Sequence, residues 1–240
     1  MRKTWIILGM LLLVFAATSA YSQNDNRAQD HLRGRFLVEG DYNRTAGFRP
    51  SCVLALDFQN ERGHGMSLGQ KIGPDNYATH LAYQIALVDA GSGWFYLQNR
   101  YLYRRFVAYD LQEFNAALLL GYRNIHWNFQ LGLCNRYVAE VPLRLDGGMG
   151  TIFEPMNVVF NLGWNLFGEE HPWNVGLGLS NYREFIIERV TLFYYTVNGY
   201  YNVNSHWRLL GEAGLHPAGV LNLSSQYNGY FINVGFTYQR

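Results

Sequence analysis

The chain has few charged residues and almost no lysine. Charged side chains make up 15% of the 240 residues, and Lys71 is the only lysine beyond residue 3. Surfaces of soluble domains usually carry about 25–35% charged residues, so a soluble protein with this sequence would have too few charges outside. The formal net charge is +1, which argues against the strong positive field of a nucleic-acid-binding protein. We therefore expect no nucleic-acid partner.

Long apolar runs and a plausible disulfide are also missing. Beyond residue 22, no stretch approaches the roughly 20 apolar residues of a transmembrane helix. Cys52 and Cys134 are the only cysteines. In the alternating pattern described below, Cys52 falls on an apolar face and Cys134 on the polar face of a distant strand. We expect both to be packing residues rather than a disulfide pair.

The N-terminus has the pattern of a secretory signal peptide. Arg2 and Lys3 give a positive n-region, an apolar h-region follows, and small residues at Ala20 and Ser22 suit cleavage. A retained membrane helix is the alternative, but the apolar run is short for a span. We predict a removed signal peptide over residues 1–22, a short periplasmic segment over 23–32 and a single domain over 33–240.

Aromatic residues are abundant and make up 16% of the chain. They belong to a pattern of alternating apolar and polar residues that is clearest in residues 114–137. Two runs flank a tight polar turn, and each run places apolar residues on one face and polar residues on the other. The apolar face carries Phe114, Ala116, Leu118, Leu120, Tyr122, Trp127, Phe129, Leu131, Leu133 and Tyr137, and the polar face carries Glu113, Asn115, Asn128, Gln130 and Arg136. Each run is about ten residues long, the length that a tilted strand needs to cross a bilayer. This stretch predicts one hairpin of a transmembrane β-barrel.

The same alternation recurs along the chain, and the lengths of the connections test the interpretation. Bacterial barrels have short periplasmic turns, longer external loops and an even number of strands. The sequence predicts external connections at residues 105–111, 138–155, 182–189 and 217–227, and periplasmic ones at 123–126, 167–172 and 202–206. Eight strands follow residue 94, and residues 33–88 add two or four. We predict an all-β fold, an antiparallel up-and-down barrel of twelve strands, with ten as the alternative.

Alternation alone does not say which face is outside, because a secreted lipocalin-like barrel would turn its apolar residues inward. Two features favour the membrane. The polar face is rich in Asn, Gln and Gly rather than Lys and Glu, and aromatic residues lie at strand ends, where they would form girdles at the membrane interfaces. These residues are Tyr122, Trp127, Trp173, Trp207 and Tyr238.

The last strand, with the sequence GYFINVGFTYQR, resembles the terminal strands of Gram-negative outer-membrane β-barrel proteins, and the resemblance covers residues 33–240. Family members commonly end in an alternating strand with a terminal aromatic residue that the barrel-assembly machinery recognises. Phe236 and Tyr238 fit this pattern, although Gln239 and Arg240 extend past the aromatic residue. The resemblance implies a bacterial outer-membrane location, contact with outer-membrane lipids and contact with the assembly machinery. We expect a monomer, and no narrower family is indicated.

Charged residues on the polar face are the candidate binding residues. In a barrel of this size they would point into the lumen, where arginine can pair with carboxylates. The candidates are Arg100, Arg104, Glu113, Arg136, Arg208, Glu212 and His216. One interpretation is a packed interior that stiffens the barrel; the other is a narrow polar pore whose charges select the solute. The sequence therefore predicts a structural or interaction barrel or a narrow pore.

An outer-membrane lipid hydrolase, of the lipid A deacylase or phospholipase type, is the alternative function. A serine nucleophile needs its histidine base within hydrogen-bond reach. Ser205 and His206 are adjacent, and His64 and Ser67 are three residues apart, so in extended strands each pair would point to opposite faces. Glu169, Glu170 and His171 have no specific metal-ligand spacing and are interpreted as a solvated turn. We predict no catalytic residue, metal ligand or cofactor and do not favour an enzyme.

Overall fold

A closed antiparallel barrel dominates the computed structural model. The structure describes residues 31–239 except 44–46, 61–62, 75, 108–110, 140–149, 169–170, 188–192 and 218–228. The predicted signal peptide lies outside the described residues. In the parts of the chain that are described, no helix combines the length and apolar character needed to cross a bilayer.

Within the described residues, twelve strands form the barrel and two short ones form a separate hairpin. The barrel strands are β1 (His31–Asn43), β2 (Gly47–Gln59), β3 (Gly65–Ile72), β4 (Asn76–Asp89), β5 (Gly93–Phe106), β6 (Leu111–Asn124), β7 (Trp127–Ala139), β8 (Thr151–Asn165), β9 (Trp173–Ser180), β12 (Tyr194–Asn202), β13 (Trp207–His216) and β14 (Gly229–Gln239). The hairpin consists of β10 (Tyr182–Arg183) and β11 (Ile186–Ile187). Each barrel strand pairs with its neighbours in sequence, except that β9 lies beside β12, and β14 closes onto β1. The prediction of twelve strands rather than ten is confirmed.

The predicted hairpin at residues 114–137 forms β6 and β7 in the expected orientation. Leu118 and Leu120 are half exposed on the outer face, whereas Leu119 and Glu113 are buried inside. The pairing of Leu118 with Leu133 and of Ala117 with Cys134 keeps the faces in register across the two strands. Cys52 is exposed outside and Cys134 is buried inside, both as free thiols. The apolar stripe is therefore the outer surface of the barrel, as an apolar-out, polar-in membrane barrel requires.

The connections give the barrel two different ends. The turn end carries the connections at 60–64, 90–92, 125–126, 166–172 and 203–206, together with the start of β1 and the end of β14. The loop end carries those at 44–46, 73–75, 107–110, 140–150, 181–193 and 217–228. Several predicted connections overlap the strands by one or two residues, and two of them differ more from the structure. Residues 151–155 belong to β8, and residues 182–187 do not form an outward loop but fold into the barrel.

The error at residues 151–155 has a local cause. The register between β7 and β8 shifts between Cys134 and Arg136, and Met156 has a φ of 55°. A bulge of this kind interrupts the alternation. Pro155 also indicates a loop in the sequence, although strands tolerate proline at bulges. The continuous strand was therefore hidden in the sequence.

Candidate functional site

The distinctive feature of the interior is a hairpin that the barrel folds into its own lumen. We call residues 181–187, which include β10 and β11, the lumenal hairpin. Where β9 ends, the fully buried Asn181 donates its Nδ2 to the Val158 carbonyl at 2.7 Å and accepts from the Phe160 amide at 2.8 Å. Its side chain thus satisfies β8 backbone groups that lie beyond the end of β9. The chain is free to turn inward at this point without leaving those groups unbonded.

Apolar packing anchors the lumenal hairpin. Tyr182 and Phe185 are buried among inward-facing apolar residues of the wall. These residues are Leu37, Val53, Ala78, Leu102, Ala117, Leu119, Cys134 and Val159. Gly69 makes room for the hairpin, because a Cβ there would lie 3.0 Å from both Phe185 Cζ and Glu184 Oε1. The barrel therefore has a small hydrophobic core inside its lumen.

Ion pairs fix the same hairpin to the opposite side of the wall. Arg183 Nη2 lies 2.8 Å from Glu39 Oε2, and Lys71 also pairs with Glu39. Glu184 Oε1 lies 2.7 Å from Arg35 Nη2 and 3.6 Å from His80 Nδ1. Because Glu39 and Arg35 belong to β1, Lys71 to β3 and His80 to β4, the hairpin spans the lumen from β9 to these strands. Charge-assisted pairs of this kind are strong where water has little access.

Glu184 remains ionised despite its surroundings. Burial alone would raise the pKa of this carboxyl, but the charge of Arg35 and the proximity of His80 outweigh it and lower the pKa to about 2. Glu184 lies in the hairpin, outside the membrane-spanning strands. The hairpin is therefore held by a charged carboxylate at any ordinary pH.

Arg100, one of the predicted lumen residues, completes the attachment. Its Nη2 donates to the backbone carbonyls of Glu184, at 3.3 Å, and Arg183, at 3.5 Å. Its guanidinium lies over the Tyr182 ring, 4.6 Å from the centroid, and the Tyr182 hydroxyl is hydrogen-bonded to Gln130. Arg100 therefore binds the backbone of the hairpin rather than a wall carboxylate.

Three other predicted residues form a second, buried network. Glu113 Oε2 accepts from Arg104 Nε at 3.0 Å and Nη2 at 2.5 Å, while its Oε1 accepts from Arg136 at 2.9 Å and Asn115 at 2.9 Å. Arg136 continues to Glu154 at 3.2 Å. The network joins β5, β6, β7 and β8 on the inner wall. It links neighbouring strands and stabilises the barrel wall.

The remaining predicted residues also face inward and contact other partners. Arg208 donates to Asn202 at 2.7 Å and covers the Tyr200 ring at 4.0 Å. Glu212 accepts from Asn233 at 2.8 Å, and His216 stacks on Tyr194 with centroids 4.5 Å apart. The sequence thus identified inward-facing charges, while their role in binding a solute stays a prediction.

Among the described residues, the interior contains at least three cavities. A vestibule of about 400 Å³ opens at the loop end and is lined by Arg49, Ser51 and Phe106 among others. A central cavity of about 350 Å³ lies between the hairpin and the amide-rich strands β7, β8, β9 and β12. A third, of about 230 Å³, lies at the turn end near Arg33 and Arg123. Ile186 of the hairpin and Lys71 of β3 line both the vestibule and the central cavity, so the two cavities meet at the hairpin.

The serine and histidine residues weighed as an enzyme site take up other contacts. Ser67 Oγ donates to Asp57 at 2.5 Å, and His64 Nδ1 accepts from the Ala86 amide at 3.3 Å. His206 Nδ1 lies 3.2 Å from the Gln239 carbonyl oxygen. Among the described residues, no group of three His, Cys, Asp or Glu side chains could hold a metal ion.

Sequence reasoning missed the hairpin because residues 182–189 read as an ordinary external loop. The signal that could have found it lies in the strands. Leu37, Leu119 and Val159 occupy inward positions where a purely polar lumen predicts polar residues. Each lies in a run that is apolar on both faces, such as residues 36–38 and 118–120. Such runs indicate that something apolar fills the lumen at that level.

Comparisons with known proteins support the fold alone. No protein-family model and no curated protein matches the chain. Among solved structures, the KdgM porin in complex with disordered oligogalacturonate aligns with a TM-score of 0.52 and 11% identity, covering 86% of this chain and 98% of that one. Outer membrane phospholipase A from Escherichia coli aligns with a TM-score of 0.50 and 13% identity, covering 90% of this chain and 94% of that one. One neighbour is a porin and the other a phospholipase, so the shared architecture carries no single activity. The chain has the outer-membrane β-barrel fold.

Proposed function

We propose that this protein resides in a bacterial outer membrane and forms a narrow channel for small polar solutes, which the lumenal hairpin closes in the present state. The observation that carries the proposal is the position of the hairpin, which lies inside a closed barrel where two cavities with polar lining residues meet. Function in such folds commonly resides in segments that a rigid scaffold holds in place. The hairpin is the segment whose displacement would join the cavities.

The outer surface supports a membrane location. Apolar side chains are exposed along the strands, and aromatic residues such as Trp127, Trp173 and Trp207 lie near the turn end. An apolar surface of this extent would be costly in water at roughly 25 cal/mol per Å². We extend the proposal to contact with outer-membrane lipids, to a monomeric state and to recognition of β14 by the assembly machinery.

Two alternatives remain to be tested against the channel. A structural barrel would keep the hairpin fixed, and the apolar core around Tyr182 and Phe185 is what favours it. A lipid hydrolase gains no support from the contacts of Ser67, His64 or His206. Hydrolysis assays with phospholipid and lipid A would reveal the latter activity directly.

Planar-bilayer recording on the refolded protein tests the channel. The wild-type protein should show a small conductance with rare openings. The double variant Arg183→Gln/Glu184→Gln, which removes both hairpin charges that pair with β1, should raise the open probability at least about tenfold, because each broken buried pair weakens the closed state. The matched control Glu212→Gln leaves the hairpin pairs intact and should behave as wild type. Silent bilayers for both wild type and double variant would remove the channel proposal and leave a structural barrel.

A further inference from the structure

The vestibule at the loop end, which measures about 400 Å³, is lined by more cations than carboxylates. Arg49 and Ser51 of β2 both line it, since residues two apart in a strand point to the same side, and Lys71 of β3 and Arg104 of β5 complete the basic wall. Among the described lining residues, Asp41 of β1 is the single carboxylate. It lies opposite Arg49 in the β1–β2 register and can balance one of the three cations.

The carboxylates that pair with the other two cations lie outside the vestibule wall. Lys71 is paired with Glu39 and Arg104 with Glu113, but neither glutamate lines the vestibule. Glu39 also pairs with Arg183 of the lumenal hairpin, so this one carboxylate serves two cations and leaves a positive charge in excess. A positive potential in a narrow cavity raises the local concentration of anions. The vestibule is therefore a favourable place for a negatively charged solute.

Ser51 adds an unused hydrogen-bonding group to the same wall. The residue is only 7% exposed, and its Oγ has no hydrogen-bond partner among the described residues. Ser180 is equally buried, but its Oγ donates to the Tyr182 carbonyl at 2.8 Å. A hydroxyl donates one hydrogen bond and accepts others, and a buried polar group without a partner is costly. A solute in the vestibule can supply the partner that Ser51 lacks.

We propose that the vestibule binds a small solute that carries an oxyanion group, either a phosphate or a carboxylate. Arginine presents a fork of donors that matches the oxygens of such groups, lysine adds a point charge, and the serine hydroxyl donates a single hydrogen bond. A volume of about 400 Å³ lies within the roughly 300–1,000 Å³ of small-molecule sites, so the oxyanion can bring an organic body with it. The inference rests on the proposed function, because it names the class of solute that enters the same lumen.

Isothermal titration calorimetry on the refolded full-length mature protein tests the site, in a detergent and a buffer without phosphate or carboxylate groups. The probes are glycerol 3-phosphate, glycerol, inorganic phosphate and acetate. Glycerol 3-phosphate should bind at least about tenfold more tightly than glycerol, because only the ester carries the charged oxygens. Inorganic phosphate and acetate distinguish the two oxyanion groups: binding of either supports the class, and the tighter of the two identifies the group.

Variants locate the site with glycerol 3-phosphate as the probe. Arg49→Gln should weaken binding at least about tenfold, because charge-assisted hydrogen bonds are lost, and Ser51→Ala should weaken it about threefold, because one neutral hydrogen bond is lost. Arg123→Gln is the matched control, because it removes an arginine that lines the cavity at the turn end, and it should bind as wild type.

The folding of each variant is checked by heat-modifiable gel migration, and if Arg49→Gln does not fold, Ser51→Ala carries the test. Equal losses in Arg49→Gln and Arg123→Gln would reflect a general attraction to a positive lumen and would overturn the inference. Binding of glycerol as tightly as its phosphate ester, or unchanged binding in Ser51→Ala and Arg49→Gln, would overturn it as well.

The two proposals fail in distinguishable ways. Calorimetry requires no current and no movement of the hairpin, so a barrel that binds glycerol 3-phosphate but never conducts removes only the channel. A conducting barrel that binds none of the three anions removes only the oxyanion site.

Discussion

At the scale of single residues, Glu113 shows how the interior tolerates charge. Its side chain is fully enclosed and meets Arg104, Arg136 and Asn115. Burying a carboxylate costs several kcal/mol of desolvation free energy. This cost is offset only when the carboxylate oxygens accept hydrogen bonds inside the protein. Here both oxygens accept more than one bond. Removing this carboxylate would leave two arginines facing each other inside the wall.

We expect Glu113→Gln to lower the free energy of unfolding by about 3–5 kcal/mol, the usual result of removing one partner from a buried ionic cluster. Urea unfolding of the refolded protein in detergent, followed by tryptophan fluorescence, measures the change. Glu212→Gln is the matched control, because Glu212 is bonded to an amide rather than to arginine. It should change stability by less than about 1 kcal/mol. Similar losses in the two variants would contradict the special role of Glu113.

A second residue, Glu184, makes the attachment of the lumenal hairpin depend on pH. Its pKa falls from the ordinary value of 4.5 to about 2 in the folded chain. A carboxyl with a lowered pKa stabilises the folded arrangement fully above its ordinary pKa and loses that contribution as the pH falls through the folded value. We therefore expect channel open probability to rise as the pH is lowered from about 4.5 towards 2.

Planar-bilayer recordings across that pH range check the expectation. Glu184→Gln should already be more open at pH 7 and should respond less to acid. Glu212→Gln, which removes another carboxylate of the lumen, serves for comparison and should keep the wild-type response. An unchanged acid response in Glu184→Gln would show that another group is responsible.

At the scale of elements, the strands could be predicted from the sequence, while the lumenal hairpin could not. Period-two alternation determines which face of β6 or β7 is outside, because a strand has only two faces and the membrane accepts one of them. The seven charged candidates were found by the same rule. The position of the hairpin is determined differently, because it requires a short segment whose side chains fit the interior of the closed barrel. Tyr182, Arg183 and Glu184 acquire partners that lie more than 80 residues away in sequence, such as Arg35, Glu39 and Arg100.

The fit of the hairpin against β3 leads to a test at this scale. Gly69→Val should push Phe185 and Glu184 from the wall, since even a Cβ would lie 3.0 Å from both, and should raise the open probability in bilayers severalfold. Gly211→Val is the matched control, because nothing lies within 4 Å of the Cβ position at this outer-face glycine of β13. The control should conduct as wild type. Equal behaviour of the two variants would argue against contact between the hairpin and β3.

At the scale of the whole molecule, β14 has a structural role and a proposed role in assembly, and mutations can separate the two. It closes the barrel against β1 and β13, and we propose that it also presents an assembly signal. Tyr238 contacts Trp207 with ring centroids 5.0 Å apart at the turn end, and Tyr230 stacks on Tyr42 at 4.7 Å at the loop end. Both tyrosines are outward-facing and belong to one strand. They form a matched pair for testing the signal.

Tyr238→Ala should reduce the amount of heat-modifiable barrel assembled in the outer membrane of cells several-fold. The same variant should still refold in detergent, because it loses only its ring contacts with Trp207 and His206, each worth about 0.5–1.5 kcal/mol. Tyr230→Ala loses its ring contact with Tyr42 and should assemble nearly as wild type. If both variants assemble equally poorly, the defect reflects stability and not recognition.

The closure of the barrel also determines when folding can finish. Arg33 and Gln239, which are hydrogen-bonded at 3.0 Å across the β1–β14 pair, are separated by 206 residues in sequence. Contacts of such long range are slow to form, because the entropy of a large loop is lost before the contact is gained. Until β14 arrives, β1 and β13 each present an unpaired edge on which another chain can pair. The pairing of β14 therefore ends the interval in which the growing sheet is vulnerable to aggregation.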